Sequence, residues 1–206
     1  LFGYVFGPAA FTNGTATRQY YDSAYSSTYC IPASLRRVVV TDEPIIGHGA
    51  FYGCSNLEEV LLPDGATSIG NQAFRDCSGL ASIRIPATVT SIGSAAFQNC
   101  SALRDVSLPN ASWTMSTLFP SAYALITNAV VAPGTASICA DAFAGCSALR
   151  SFSIPDSVQT IGARAFFGCA SLGALAIPED VTVIPASLCE GCTALASVTI
   201  PAGVTF

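Results

Sequence analysis

A chain of 206 residues that is 51% hydrophobic and only 10% charged is apolar for its length, with a mean hydropathy of +0.53. No membrane span accounts for this: the longest charge-free run, residues 106–140, is interrupted by Pro109, Asn110, Pro120, Asn128 and Pro133 and holds no stretch of about 18 apolar residues. The net charge of −5, with arginine as every one of the eight basic residues, argues against nucleic acid as a partner, which calls for a clustered cationic stripe.

In chain order, residues 1–45 come first and are aromatic. They hold Tyr4, Tyr20, Tyr21, Tyr25 and Tyr29 together with Phe2, Phe6 and Phe11. Toward their end Leu35, Val38 and Val40 set a Leu-x-x-Val-x-Val spacing that becomes regular further on. From Ile46 a 23-residue unit recurs. Cys54, Cys77 and Cys100 are 23 apart, and so are Cys146, Cys169 and Cys192. Units begin at Ile46, Ile69, Ile92, Ile138, Ile161 and Ile184, with room for a degenerate one at Met115. A fixed period in this range means stacked units, each unable to bury its apolar face alone, and the stack explains the high hydropathy.

Each good copy carries Leu-x-x-Ile-x-Ile-Pro, as in Leu80–Pro86, where alternation and β-branching predict a short strand. The proline, at Pro63, Pro86, Pro109, Pro155, Pro178 and Pro201, lacks an N–H and ends the strand. Val89-Thr90-Ser91-Ile92 reads as a second extended segment before the Gly93 turn, and Ala-Phe-x-x-Cys as a single helical turn, with Phe51, Phe74, Phe97, Phe143 and Phe166 filling the core. The 115–137 unit keeps the length but has no cysteine; Phe119-Pro120 and Ile126 replace the pattern, and Trp113 precedes it. It reads as drift in a tolerated turn or as a local bulge that forms a contact site. The domain reading is therefore an aromatic N-terminal cap over 1–23, an atypical first repeat over 24–45, and seven repeats over 46–206 in one continuous solenoid domain. An aromatic ligand platform is the lesser alternative for these residues. No matching cap follows Pro201, so the last turn is expected to be open. Leu1 opens the sequence without a charged n-region, and the chain reads as a piece of something longer.

The pattern Ile-Gly-x-x-Ala-Phe-x-x-Cys-x-x-Leu-x-x-Ile-x-Ile-Pro, as it stands from Ile69 to Pro86, resembles the BspA-like, or Treponema-type, leucine-rich repeats. The resemblance covers roughly residues 46–206, poorly at the Met115 unit, and leaves residues 1–23 outside. It implies a β-rich, right-handed leucine-rich-repeat solenoid, with parallel strands on one face and short helical or irregular turns on the other. It also implies bacterial or protozoan surface and secreted proteins, some of them adhesive; it carries over no binding residue.

The cysteines read as a buried column of small side chains at Cys54, Cys77, Cys100, Cys146, Cys169 and Cys192, because stacked turns are about 4.8 Å apart and in-register thiols point the same way, wider than a disulfide's Cβ spacing of about 3.8 Å. Cys30, Cys139 and Cys189 lie outside the column, with no pairing assigned. Cys189-Glu190-Gly191-Cys192 matches Cys-x-x-Cys by coincidence of the repeat, and zinc would need two further ligands. His48, the only histidine, lies between Gly47 and Gly49 with no triad partner in view. Asp64, Asp141, Asp156 and Asp180 sit in turns, where Asp is ordinary. The sequons at Asn13, Asn99 and Asn110 are taken as chance matches. No enzyme, metal or cofactor is expected.

Function is expected on the outward strand positions, which alternation turns away from the core. Charge gathers there on the earlier turns, at Arg36, Arg37, Glu58, Glu59, Arg84, Arg104, Asp105 and Arg150, whereas the last turns offer Gly173, Ala174, Ala176, Ala196, Ser197 and Thr199. This charge serves either solubility or recognition, arginine forks being suited to carboxylates and sulfates. The function expected is a non-catalytic, extracellular or cell-surface binding module that mediates protein–protein contact or adhesion to a host or neighbouring-cell protein or glycan. Its rival is a spacer solenoid that presents another domain.

Overall fold

The computed structural model describes residues 14–20, 26–110 and 112–205. Phe2, Tyr4, Phe6, Phe11, Asn13, Tyr21 and Tyr25 lie outside them, and with them most of the expected aromatic cover. Two compact units are formed, Leu1–Leu103 with Phe119–Ser121, and Arg104–Leu118 with Ala122–Phe206.

The first unit opens with an antiparallel pair, β1 (Gly14–Tyr20) and β2 (Ser26–Pro32), in the register Gly14↔Pro32 to Tyr20↔Ser26. Every later pairing is parallel. The main ladder runs through β3 (Arg37–Val39), β5 (Glu59–Leu61) and β7 (Ser82–Arg84), and a second through β4 (Ile45–Ile46), β6 (Ser68–Ile69) and β8 (Ser91–Ile92). Val60 pairs with Ile83 and Ile69 with Ile92, so each residue meets the one a full repeat away. Alternation does what the sequence predicts: Leu80, Ile83 and Ile85 are buried while Ala81 and Arg84 are exposed. Gly93 of the Ile-Gly pair has its own reason, since a Cβ there would lie 2.3 Å from the Asn71 backbone nitrogen.

Behind the strands, the Ala-Phe-x-x-Cys segment is not the helical turn expected. Gln72 and Asp76 have φ of 57° and 63°, and the same two positions of the following repeat, Ala95 and Asn99, have 55° and 62°. A left-handed residue every fourth position breaks any helix and turns alternate N–H groups toward the next repeat. Phe74 N–H donates to Ala96 O at 2.8 Å and Asp76 N–H to Gln98 O at 2.9 Å. The N–H groups between them close local turns, such as Cys77 to Phe74 O at 3.2 Å. The turn side is thus a second hydrogen-bonded column, and this satisfies the buried backbone without helix or sheet. Within it Phe51, Phe74 and Phe97 stack with centroids 5.1 and 5.2 Å apart and planes within 6°. Phe119 continues the column beyond Phe97, tilted by 49°.

The second unit holds β9 (Asp105–Leu108) paired with β10 (Asn128–Val131), β11 (Ser137–Ile138) with β12 (Thr160–Ile161), and β13 (Ala174–Ala176) with β14 (Ser197–Thr199), all parallel. Its degenerate repeat contains α1 (Met115–Leu118) and a 3-10 turn, Tyr123–Leu125, the helical elements among the described residues. Met115 and Leu118 are buried, so this helix supplies core where other repeats use the left-handed turns. The fold is the parallel-strand solenoid of 23-residue turns that the period predicts. In the final turn the inward row is uncovered: Val198 and Ile200 are 41% and 45% exposed, against 2% for Ile83 and Ile85.

Candidate binding face and cysteine column

Two strand faces result, one in each unit, and their chemistry differs. In the first unit the arginines are paired along the stack. Arg36 Nε lies 3.1 Å from Glu58, Arg37 Nε donates to Glu59 Oε2 at 2.6 Å, and Arg84 Nη1 donates to Asp64 Oδ1 at 2.8 Å. Positions on successive turns face each other, so opposite signs one turn apart meet directly. Asp64, in the turn after Pro63, completes a pair that the sequence reading did not connect to Arg84.

In the second unit Asp105 is exposed at the start of β9 and Arg104 is half-buried. The Arg104 carbonyl accepts from Thr127 and Asn128 at 2.9 and 3.1 Å. Arg150 is exposed and, among the described residues, has no carboxylate within ion-pair distance. Just after it the main ladder fails. Ser151 bridges to Asn128, but Phe152, Ser153 and Ile154 make no inter-turn backbone hydrogen bond among the described residues, and β13 is paired on one side only.

Phe152 occupies the position that Ile83 holds in the regular repeat and packs its ring against both Phe143 and Phe166, at centroid distances of 4.5 and 5.1 Å and tilts above 50°, while those two rings stay stacked 5.4 Å apart with planes within 4°. The turns stay joined on either side, through Gly173 N–H to Arg150 O at 3.2 Å and Phe166 N–H to Leu188 O at 3.0 Å. Between those points an open depression of about 750 Å³ forms, with Arg150 at one end, Asp156 and Glu179 among its walls, and Ser151, Ser153, Gly173, Ala174 and Ala176 along it. The small residues that looked featureless in sequence are what leave it open. Phe152 in an Ile position was the available signal.

The cysteine column is buried at Cys54, Cys77, Cys100, Cys146 and Cys169, and half-buried at Cys192 on the open last turn. Each thiol that can be followed donates to the carbonyl of a phenylalanine in the preceding repeat: Cys77 to Phe51, Cys100 to Phe74, Cys169 to Phe143 and Cys192 to Phe166, at 3.0 to 3.2 Å. Burial pushes Cys100 and Cys146 up to about 12 and raises Cys77 and Cys169 as well. These thiols are neutral packing elements at neutral pH, unsuited to nucleophilic work.

Further polar groups meet on the turn side, where the buried Arg75 Nε has no hydrogen-bond partner among the described residues. Arg164 donates to Asp141 at 3.0 Å and lies 4.2 Å over the Phe167 ring; Arg75 sits near Asp76 at 3.7 Å and over Tyr52. His48 is half-buried beside the left-handed Gly49. Among the described residues no group of three or more His, Cys, Asp or Glu side chains is arranged to hold a metal ion, and no helix is long and apolar enough to cross a membrane.

A model of the BspA type leucine-rich repeat region, built from six repeat copies, matches residues 25–124 and 116–206. The chain belongs to this family. Among solved structures, a leucine-rich repeat protein from Eubacterium ventriosum is similar with 25% identity and a TM-score of 0.59, over 85% of this chain and 45% of that one. The Treponema pallidum leucine-rich repeat protein aligns at 24% identity and a TM-score of 0.47, over 95% and 84% of the two chains. A leucine-rich cell surface protein from Faecalibacterium prausnitzii aligns at 24% identity and a TM-score of 0.37, over 80% and 59%. This chain thus spans less than half of the E. ventriosum protein. No curated protein matches the sequence. A BspA-type repeat chain is a protein-binding or structural module.

Proposed function

We propose that this chain is a non-catalytic binding module of a secreted or cell-surface protein, and that it adheres to a protein or glycan of a host or neighbouring cell through its strand face. The observation that carries the reading is the depression beside Arg150. It joins a cation without an ion-pair partner among the described residues to main-chain groups that no neighbouring turn satisfies and to floor residues too small to fill it. Unsatisfied donors and acceptors at a strand edge are what an incoming extended segment can pair with, and a guanidinium presents a fork to carboxylate or sulfate. Membership of the BspA-type repeat family supports surface placement.

The proposed partner-contacting residues remain Arg36, Arg37, Glu58, Glu59, Arg84, Arg104, Asp105 and Arg150, now ranked. Arg36, Arg37 and Arg84 must break an internal pair before engaging a partner; Arg150 need not. The test is binding of the chain to a panel of extracellular-matrix proteins and sulfated glycans at low and high salt. Arg150→Glu and Ala174→Arg should each weaken any salt-sensitive interaction at least about tenfold, equivalent to about 1.4 kcal/mol, and more than the double variant Arg36→Glu with Arg37→Glu. No binding across the panel would favour the spacer reading.

A further inference from the structure

The last turn brings together two thiols that the repeat elsewhere keeps apart. Cys189 occupies the position filled by Phe51, Phe74, Phe97, Phe143 and Phe166 in the regular repeats, so the ring that packs the core there is replaced by a short thiol side chain. Cys192 is the column cysteine of the same turn. The segment Cys189-Glu190-Gly191-Cys192 is a hydrogen-bonded turn, with Cys192 N–H donating to Cys189 O at 3.1 Å and Gly191 in the left-handed region at φ 80°. The two thiols lie close enough to perturb each other's protonation, and Cys192 Sγ donates to Phe166 O at 3.1 Å. Both are half-buried, on the turn whose inward row is uncovered.

We propose that Cys189 and Cys192 are a reversible dithiol–disulfide site that clasps the last turn, closed by exchange with a low-molecular-weight disulfide. Geometry favours closure here and opposes it along the column. A four-residue turn holds its end Cα atoms within about 7 Å, and a disulfide needs about 4.4–6.8 Å. Successive column thiols instead lie one full turn apart; Cys192 shares their bond to a phenylalanine carbonyl, and closure gives that bond up. The exchange balances in two steps. One thiolate attacks the external disulfide, releasing a thiol and leaving a mixed disulfide; the second cysteine then displaces the remaining thiol. The protein loses two hydrogens and two electrons, and the oxidant is reduced to two thiols. The closed loop is short, so its entropic stabilisation is small and reductant should reopen it. Burial raises both thiols, Cys189 to about 11. The pair is therefore mostly protonated at neutral pH, and it closes slowly rather than acting as a catalytic nucleophile.

Incubating the native chain with oxidised glutathione, unfolding it, alkylating it and mapping its peptides tests this. Expected is a Cys189–Cys192 link in a peptide lighter by two hydrogens, reversed by dithiothreitol, with the five buried column cysteines alkylated as free thiols. Cys189→Ser and Cys192→Ser should each abolish the link, far-UV circular dichroism confirming that the variants are folded. In the wild-type chain, free thiols at both positions after prolonged incubation at pH 8.5, stable glutathione adducts without ring closure, or linkage of either cysteine to a different one would each overturn the proposal.

Discussion

The strand face of the first unit and that of the second are built from the same repeat, yet one is closed on itself and the other is not. Around β5 and β7, side chains one turn apart neutralise each other, as Arg37 does with Glu59, and the ladder from β3 to β7 is unbroken. Around Ser151–Ile154 the outward residues are small, the backbone ladder is interrupted, and a cation is left without a carboxylate among the described residues. Inward positions are held by stacking, whereas outward ones answer only to each other. A single inward change, phenylalanine at 152, coincides with a change in the outward surface. Charge density alone is thus a poor guide to a binding face, because paired charges are already spent on the fold.

What the two units share should fail together. Cys100 belongs to the first and Cys146 to the second, and burial holds both near 12. Since the folded pKa lies above the unfolded value of about 9, the stability these thiols contribute is fully present below pH 9 and is lost as pH climbs toward 12. At about 1.4 kcal/mol per pKa unit, each accounts for a loss on the order of 4 kcal/mol by pH 12 and on the order of 1 kcal/mol by pH 10. Denaturant midpoints measured between pH 7 and 11.5 should therefore fall with rising slope. Cys100→Ala should reduce that slope while lowering stability at pH 7; a midpoint flat to pH 11 would mean that the column is open to solvent.

The interrupted ladder separates the units more sharply. Amide exchange is set by local opening, and amides with no hydrogen bond need no opening. The N–H groups of Phe152, Ser153 and Ile154 should exchange at least about a hundredfold faster than those of Val40 and Ala81 on the regular face, which donate to Leu61 O and Glu58 O at 2.9 Å. Equal protection at the two places would close the depression and remove the basis for ranking Arg150 first. Phe152→Ile, which restores the residue type of the regular repeat, is the variant in which protection at Ser153 should rise.

The repeat was legible because its signals agree. Leu80, Ile83, Ile85, Phe74 and Cys77 are each specified by a neighbour one period away, so the pattern reports a contact directly. Left-handed φ at Gln72, Arg164 and Ser187 falls on residue types with no preference for that region, but four residues on it falls on Gly53, Asp76, Asn99, Gly145, Gly168 and Gly191, a periodic Gly, Asp or Asn signal that the expected helical turn left unused. The antiparallel register of β1 with β2 depends on a pairing outside the repeat. The candidate face was located by alternation, but its internal pairing was not, since whether Arg84 meets Asp64 depends on where the turn after Pro63 carries its carboxylate.

The smallest effect addresses the pairing itself. Arg37 and Glu59 are joined at 2.6 Å but are substantially exposed, and pairs of that kind contribute about 0–1 kcal/mol, less in salt. Arg37→Ala should therefore lower stability by only a few tenths of a kcal/mol, within about 1 kcal/mol. A double-mutant cycle with Glu59→Ala should return a coupling of that size, and it should shrink in 1 M salt. Arg150→Ala has no ion pair to lose and should leave stability unchanged. If Arg150 nevertheless proved the more stabilising arginine, an internal partner would have to hold it, and both faces would be self-satisfied. Stability insensitive to Arg150, together with binding sensitive to it, is the combination that distinguishes a face made for a partner from one made for solubility.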